Sequence, residues 1–140
     1  MSASWVSDTE LKINTIVTTR AKKNLITDYP NIFFTMDNET DVTPTFPTVY
    51  IHFLPNAERG KTLDGFDINA FLCGVQIEVI VTKDQGQTTA RTVMYEMLEQ
   101  FKKLSFEINL MPEFTSTGDV ETKEIVARCR RVIGASDIIQ

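Results

Sequence analysis

The chain has 140 residues, 42% of them hydrophobic and 24% charged, a composition that predicts one globular domain with its own core. Its 14 basic residues are outnumbered by 19 acidic ones, and the net charge of −5 argues against a surface that binds DNA or RNA through phosphate contacts. One His and two Cys, far apart in sequence, do not have the ligand spacing of a zinc site. The N-terminal MSASWVSDTE predicts no signal peptide, and no segment approaches the roughly 18 apolar residues of a membrane span.

The first predicted element is a helix over about residues 8–25. Ser7 and Glu10 have the S-x-x-E spacing of a capping box, in which each side chain satisfies a backbone N–H near the helix start. Val6 and Leu11 occupy the flanking positions of a hydrophobic staple. The apolar stripe that would pack on the core consists of Ile13, Ile16, Val17 and Leu25.

Two strands are predicted next, over residues 32–36 and 48–54. Pro30, Pro44 and Pro47 exclude a helix in this region, because proline lacks a backbone donor and restricts the residue before it. The second strand, TVYIHFL, is apolar or nearly so on both faces, which indicates a strand inside a sheet.

Residues 55–70, PNAERGKTLDGFDINA, connect two predicted strands and are much longer than a hairpin turn. Connections of this length are functional, disordered, or extended hairpins that reach past the core. The sequence leaves these three alternatives open, and we describe the segment as a long loop or arm.

The stretch CGVQIEVIVTKDQGQTTARTVMYEMLEQF changes from a strand periodicity to a helix periodicity. The strand is predicted over 72–82, where apolar and polar residues alternate. After the turn KDQGQ, a helix is predicted over about 88–104, with Thr88 or Thr89 as its cap. The buried face of this helix would be formed by Ala90, Val93, Met94, Met97, Phe101 and Leu104.

Two further strands close the domain, over about 106–110 and 125–133, and residues 134–140 form a tail with no element of its own. The order is therefore α–β–β–β–α–β–β. It predicts an α+β fold in which a single mixed sheet has two helices packed on one face, with the long loop between strands 2 and 3. The core of this single domain would span about residues 8–135.

Catalysis, cofactors and metals are not predicted by any arrangement of residues. His52 is the single imidazole, and on a strand beside Tyr50 it is interpreted as a packed or interface residue. Cys73 and Cys129 fall at apolar strand positions, which predicts buried free thiols. ERGKT at 58–62 lacks the first Gly of a phosphate-binding loop.

Four acidic residues could be drawn into a metal site on paper, but they occupy polar, irregular segments without the order of a calcium loop. These residues are Glu58, Asp64, Asp67 and Asp84.

The segment ARCRRVIG places Arg128 and Arg130 on the same side of a strand. One interpretation is a solvated sheet face with cross-strand partners such as Glu78 or Glu107. The other is an interface, since arginine pairs with carboxylates through two hydrogen bonds and is enriched at protein contacts. Both interpretations stay open at this point.

Three motifs occur in order within about residues 8–138. The first, FPTVYIHFLPNAERG, is a strand that runs into a polar loop. The second is the strand QIEVIVTKD, followed by a short turn and the helix ARTVMYEMLEQF. The third, RCRRVIGASDI, is a strand that ends in Arg-Val-Ile-Gly and a polar tail. With these motifs, the chain resembles the tail terminator family (tail completion, or head–tail joining, proteins) of long-tailed, siphovirus-type phages, which includes the lambda-type minor tail protein.

The resemblance implies a structural virion protein without an active site, assembled in the host cytoplasm. Copies would form a ring, typically a hexamer, that docks on the last ring of the tail tube, stops its polymerisation and presents a surface to head-completion or connector proteins. DNA would pass through the lumen without specific binding, and the 55–70 segment would be an arm to the adjacent subunit or the tube. The candidate residues at the subunit and tube interfaces are Glu58, Arg59, Lys61, Asp64, Phe66, Asp67, Gln76, Glu78, Arg128 and Arg130.

Two other functions remain open. A head-completion or connector protein on the other side of the joint would have a similar size. A small ligand-binding or hydrolytic α+β domain would need a concave pocket with convergent polar groups, for which His52, Tyr50 and Arg128 are the candidates.

Overall fold

The computed structural model describes residues 4–36, 45–55, 57–61, 68–115 and 121–140, and of residues 57–61 and 68 it describes the backbone alone. The elements in these ranges, in chain order, are α1 (Ser4–Leu25), β1 (Phe33–Thr35), β2 (Thr48–Phe53), β3 (Ala57–Lys61), β4 (Ile68–Thr82), α2 (Gly86–Lys103), β5 (Glu107–Thr115) and β6 (Thr122–Gly134).

The strands form one mixed six-stranded sheet in the order β1-β2-β4-β6-β5, with β3 paired to β4 beside this path. β1 and β2 are parallel, and the other pairs are antiparallel. The centre is the long pair of β4 and β6, which are aligned from Ala70↔Gly134 to Thr82↔Thr122. One mixed sheet with two helices confirms the predicted α+β fold class.

Alternation along β4 decides which side of the sheet the helices cover. Trp5 of α1 packs edge to face on Phe71, with 5.4 Å between ring centroids, and Arg91 of α2 lies 5.1 Å from the ring centroid of Phe114 on β5. α2 also contacts β4 and β6. We call this side the covered face. The residues that β4 buries there are Phe71, Cys73, Val75, Ile77, Val79 and Val81.

The first helix begins at Ser4, about one turn before the predicted start near residue 8. Ser7 therefore lies inside the helix, and the predicted capping box of Ser7 with Glu10 is wrong. The additional turn brings Trp5 onto Phe71, and this edge-to-face contact is a tertiary interaction that a prediction from local capping does not include.

The second helix begins at Gly86, with Gln85 in the N-cap position, so the prediction of Thr88 or Thr89 as the cap is wrong. Gly86 has a φ of +78°, a conformation that glycine adopts without the strain a side chain would cause. The side chain of Gln85 donates from Nε2 to the carbonyl oxygen of Phe46 at 3.1 Å, which ties this turn to the segment before β2.

The 55–70 segment contains a strand that the sequence did not predict. β3 pairs antiparallel with the first part of β4. At the described positions, this pairing confirms the extended hairpin among the three alternatives, and the description of the segment as a continuous long loop is wrong there. β4 itself begins at Ile68, earlier than the predicted start at 72. Because β2 ends at the pair Phe53↔Val75, the hairpin carries the sheet beyond β2.

The two C-terminal strands are longer than predicted: β5 continues to Thr115 and β6 spans Thr122–Gly134. The tail after β6 has no element of its own, as predicted. Its Ile139 is nevertheless only 4% exposed, so the tail is anchored to the core rather than free.

Candidate interaction surface

The side of the sheet away from the helices, which we call the open face, carries a row of polar residues on three adjacent strands. Gln76 on β4 is aligned with His52 on β2 and with Arg128 on β6. Glu78 is two positions further along β4 and therefore on the same face. The structure thus brings together the four candidate residues of β4 and β6, since Arg130 follows Arg128 by two positions.

Hydrogen bonds connect this row from strand to strand. Arg128 Nε donates to Gln76 Oε1 at 2.9 Å, and Gln76 Nε2 donates to Glu78 Oε1 at 2.7 Å. The other oxygen of Glu78 lies 3.3 Å from His52 Nε2, and the His52 ring stacks on Tyr50 with 5.7 Å between centroids. Each side chain restricts its neighbour, so the row presents its polar groups in fixed positions.

Arg130 forms a separate ion pair with Glu107 on the edge strand β5, with 2.7 Å between Nε and Oε1. Its two side chains are 48% and 67% exposed, so the pair contributes little to stability. Glu107 was one of the two predicted cross-strand partners and is confirmed. Arg128, in contrast, donates to the amide oxygen of Gln76, and within the described residues it forms no ion pair.

Glu124 adds a second carboxylate to the open face, close to Glu78. Burial raises the pKa of Glu124 above its ordinary value of 4.5, the Glu78 carboxylate raises it further, and His52 opposes these effects. Two acids on neighbouring strands therefore repel each other beside the polar row. Sequence reasoning missed Glu124, although its even-numbered position on β6 is the same signal that found Arg128 and Arg130.

Arg131 belongs to a different environment from Arg128 and Arg130, because it alternates to the other side of β6. Its Nη1 donates to the carbonyl oxygen of Leu104 at the end of α2, at 2.8 Å. Its Nη2 donates to Asp137 at 3.3 Å, and the same carboxylate oxygen accepts the N–H of Gly134 at 2.8 Å. Arg131 therefore joins the end of α2 to the C-terminal tail, which is a structural role.

The remaining candidate residues lie on the hairpin or beyond the described residues. Glu58, Arg59 and Lys61 belong to β3, whose backbone pairs with β4. Asp64, Phe66 and Asp67 lie outside the described residues. The structure therefore describes the backbone at the base of the proposed arm.

Both cysteines are buried and free, as predicted. Burial raises the pKa of Cys73 to about 12, with Glu10 raising it further and Arg131 opposing. Burial likewise raises the pKa of Cys129 to about 12, with a further contribution from Cys73. Because the thiolate is the nucleophilic form, both side chains act as small apolar core residues at neutral pH.

Within the ranges that the structure describes, no three His, Cys, Asp or Glu side chains are grouped so that they could bind a metal ion. None of the described helices combines the length and the hydropathy needed to cross a membrane.

A second surface, which sequence reasoning missed, is a groove of about 580 Å³ between α2 and β5. Leu98 and Ile108 lie in it beside the exposed side chains of Tyr95 and Met111, which are 50% and 59% accessible. We call this surface the α2–β5 groove. Tyr95 was a signal for this surface in the sequence, because it is a large apolar residue outside the buried stripe of α2.

No protein-family model matches the chain, and no curated protein is significantly similar to it.

Proposed function

We propose that this chain is a ring-forming structural subunit of a phage tail, a tail terminator that caps the tail tube, stops its polymerisation and forms the joint to the head. The observation that supports the proposal best is the hydrogen-bonded polar row on a sheet face that the helices leave uncovered. The sequence resemblance is the reason for proposing a phage tail as the assembly. The open face of the sheet is a surface suited to contacts within it.

The polar row suits recognition because its side chains are ordered before any partner arrives. A flexible Arg or Gln loses side-chain entropy when it is fixed at an interface, which costs about 0.5–1.5 kcal/mol for each such side chain. In this chain Arg128 and Gln76 already hold each other in place. A partner that docks on the open face therefore meets a prearranged pattern of donors and acceptors.

The β3–β4 hairpin gives the subunit a second means of contact. The last residue of β2 pairs with Val75 of β4, whereas β3 pairs with Leu72 and with residues before it on β4. The hairpin therefore extends the sheet past the end of β2. In the proposed ring, this hairpin is the arm that contacts the adjacent subunit or the tube. Glu58, Arg59 and Lys61 are the candidate contact residues at its base.

The charge of the chain is compatible with the proposed position in the virion. A net charge of −5 gives little attraction for a polyanion, so DNA can pass through a ring of such subunits without adhering to it. The proposed partners are other copies of the chain in a hexamer, the tail tube protein and the head-completion or connector proteins. We propose that the chain needs no cofactor for this function.

Electron microscopy of particles assembled without this chain tests the function. A missing tail terminator gives over-long tails, because nothing stops the addition of tube subunits. Tails of normal length together with heads that lose DNA would contradict the proposal and would indicate a head-completion or connector protein instead.

The arm is tested by replacing residues 57–67 with a short Gly-Ser linker. β3 lies beside the main path of the sheet and pairs with β4. The variant should therefore still fold, as followed by circular dichroism, but should no longer form rings in light scattering. A variant ring of unchanged mass would contradict the role of the hairpin.

A further inference from the structure

The α2–β5 groove is an apolar surface that no element of the described part of the chain covers. Tyr95 and Met111 are half or more exposed, although large apolar side chains at such exposure are usually scattered singly. Here they line one groove with Leu98 and Ile108. Tyr and Met are also among the residues enriched at protein interfaces.

Charged groups define the rim of this groove. Lys102 and Lys103 at the end of α2 are both exposed, and among the described residues neither forms an ion pair. Glu99 contributes one acid to the same rim. The groove therefore suits a partner surface that presents an apolar side chain next to a carboxylate.

The chain carries such a surface itself, on the N-terminal half of α1. Leu11 is 53% exposed, although it is one of the large hydrophobic residues. Asp8 precedes it by three residues and is therefore on the same face of the helix, about one turn away. Asp8 is exposed, and among the described residues it forms no ion pair.

The two surfaces lie on opposite flanks of the helical layer. On α1, Leu11, Thr15 and Thr18 follow one another at spacings of four and three residues and therefore share a face of the helix. Thr18 lines a cleft together with Phe33 of β1. The other side of α1 faces α2, where Asn24 donates to Glu96 at 2.7 Å.

On α2, the groove residues face away from α1. Tyr95, Leu98 and Lys102 recur at spacings of three and four and turn toward β5. Glu96, which accepts from Asn24, also accepts from Gln100 at 2.7 Å, and these two residues form the side that faces α1.

We propose that the α2–β5 groove of one subunit receives the Leu11 and Asp8 surface of α1 from the next copy of this chain. Leu11 packs against Tyr95 and Met111, and Asp8 lies against Lys102 and Lys103. This inference rests on the proposed ring and specifies its subunit contact. A contact between two different surfaces on opposite flanks repeats from copy to copy, and it closes into a ring when the rotation between copies permits.

Strand pairing along the outer edge of β5 is a less suitable contact. Pro112 lacks a backbone donor, and the register of β5 shifts between Ile108 and Leu110 and again between Leu110 and Glu113. These features are typical of edge strands that resist addition of a further strand. The groove beside the edge can still accept a helix, which needs no backbone pairing.

A charge exchange tests the contact, with native mass spectrometry as the measurement. Replacing Lys102 and Lys103 by Glu, or Asp8 by Lys, should raise the protein concentration at which half of the ring dissociates by at least about tenfold. Combining Asp8→Lys with the two Lys→Glu changes should restore assembly, because the charges then match again. Lys83→Glu, a single Lys→Glu change on an exposed turn residue outside the contact, is the control and should leave the ring intact.

The apolar half of the contact has its own test, Met111→Glu, which should weaken the ring by a similar factor while circular dichroism shows an unchanged fold. Rings that resist all of these changes would overturn this inference and leave the proposed function standing. Loss of assembly without rescue by the combined variant would overturn the assignment of Asp8. A wild-type chain that is monomeric at every concentration would overturn both the contact and the ring.

Discussion

The covered face and the open face are built from alternate residues of the same strands, but different forces hold them. Ile77 is fully buried, aligned with Ile51 and Ala127, and is stabilised by apolar area removed from water. The adjacent Glu78 is fixed by hydrogen bonds that replace bonds to water, a smaller net gain. Substitutions on the two faces should therefore separate stability from assembly.

The largest expected effect is on the covered face. Ile77→Ala should lower the free energy of unfolding by about 2–5 kcal/mol, because it leaves a cavity at the centre of the sheet. Urea denaturation measures the change. Ile77→Val is the matched control, with an expected loss of about 0.5–1.5 kcal/mol. A loss below that of the valine control would mean that the covered face is not the core.

A smaller loss is expected at the centre of the open face. Glu78→Ala should cost about 1 kcal/mol, because the amide of Gln76 loses its acceptor and His52 loses its neighbour. Glu78→Gln retains an acceptor and should be nearly neutral in the same denaturation experiment. Equal losses for both variants would show that charge, rather than the hydrogen bond to Gln76, holds the row together.

Glu124→Gln should be stabilising at neutral pH, by a few tenths of a kcal/mol, about the size of one cross-strand pair. The pKa of Glu124 is raised in the folded protein, so the proton is bound more tightly there than in the unfolded chain. The wild type therefore loses stability as the pH rises through this pKa, and the variant does not. The advantage should disappear below the ordinary value of 4.5, where both states are protonated. A gain that is independent of pH would contradict this explanation.

The smallest effect is expected for Arg130→Ala, because its ion pair with Glu107 is largely exposed. The free energy of unfolding should change by about 0.5 kcal/mol or less, with any loss reduced further by added salt. A loss as large as that of Ile77→Val would place Arg130 in a network that stabilises the fold.

Local periodicity made much of the fold predictable from the sequence. The alternation around Ile77 and Val79 identified β4 and the face that it buries, since a strand with one covered side must place its apolar residues at every second position. The same alternation on β6 placed Arg128 and Arg130 on the open face. His52, which the sequence analysis interpreted as a packed or interface residue, stacks its ring on Tyr50.

What the sequence did not reveal depends on contacts that are distant along the chain. β3 has no alternation, and its register with β4 is irregular around Gly60, so only its pairing partner defines it as a strand. The first turn of α1 contains Trp5, whose packing on Phe71 is a contact that no local capping rule includes. The α2–β5 groove likewise requires Tyr95 and Met111 to be brought together by the packing of a helix on an edge strand.

The most direct test of the central claim is the native mass of the wild-type protein in solution. We expect a closed ring, typically of six copies of the 15.9 kDa chain, at micromolar concentration. A single species of 15.9 kDa at every concentration would contradict it.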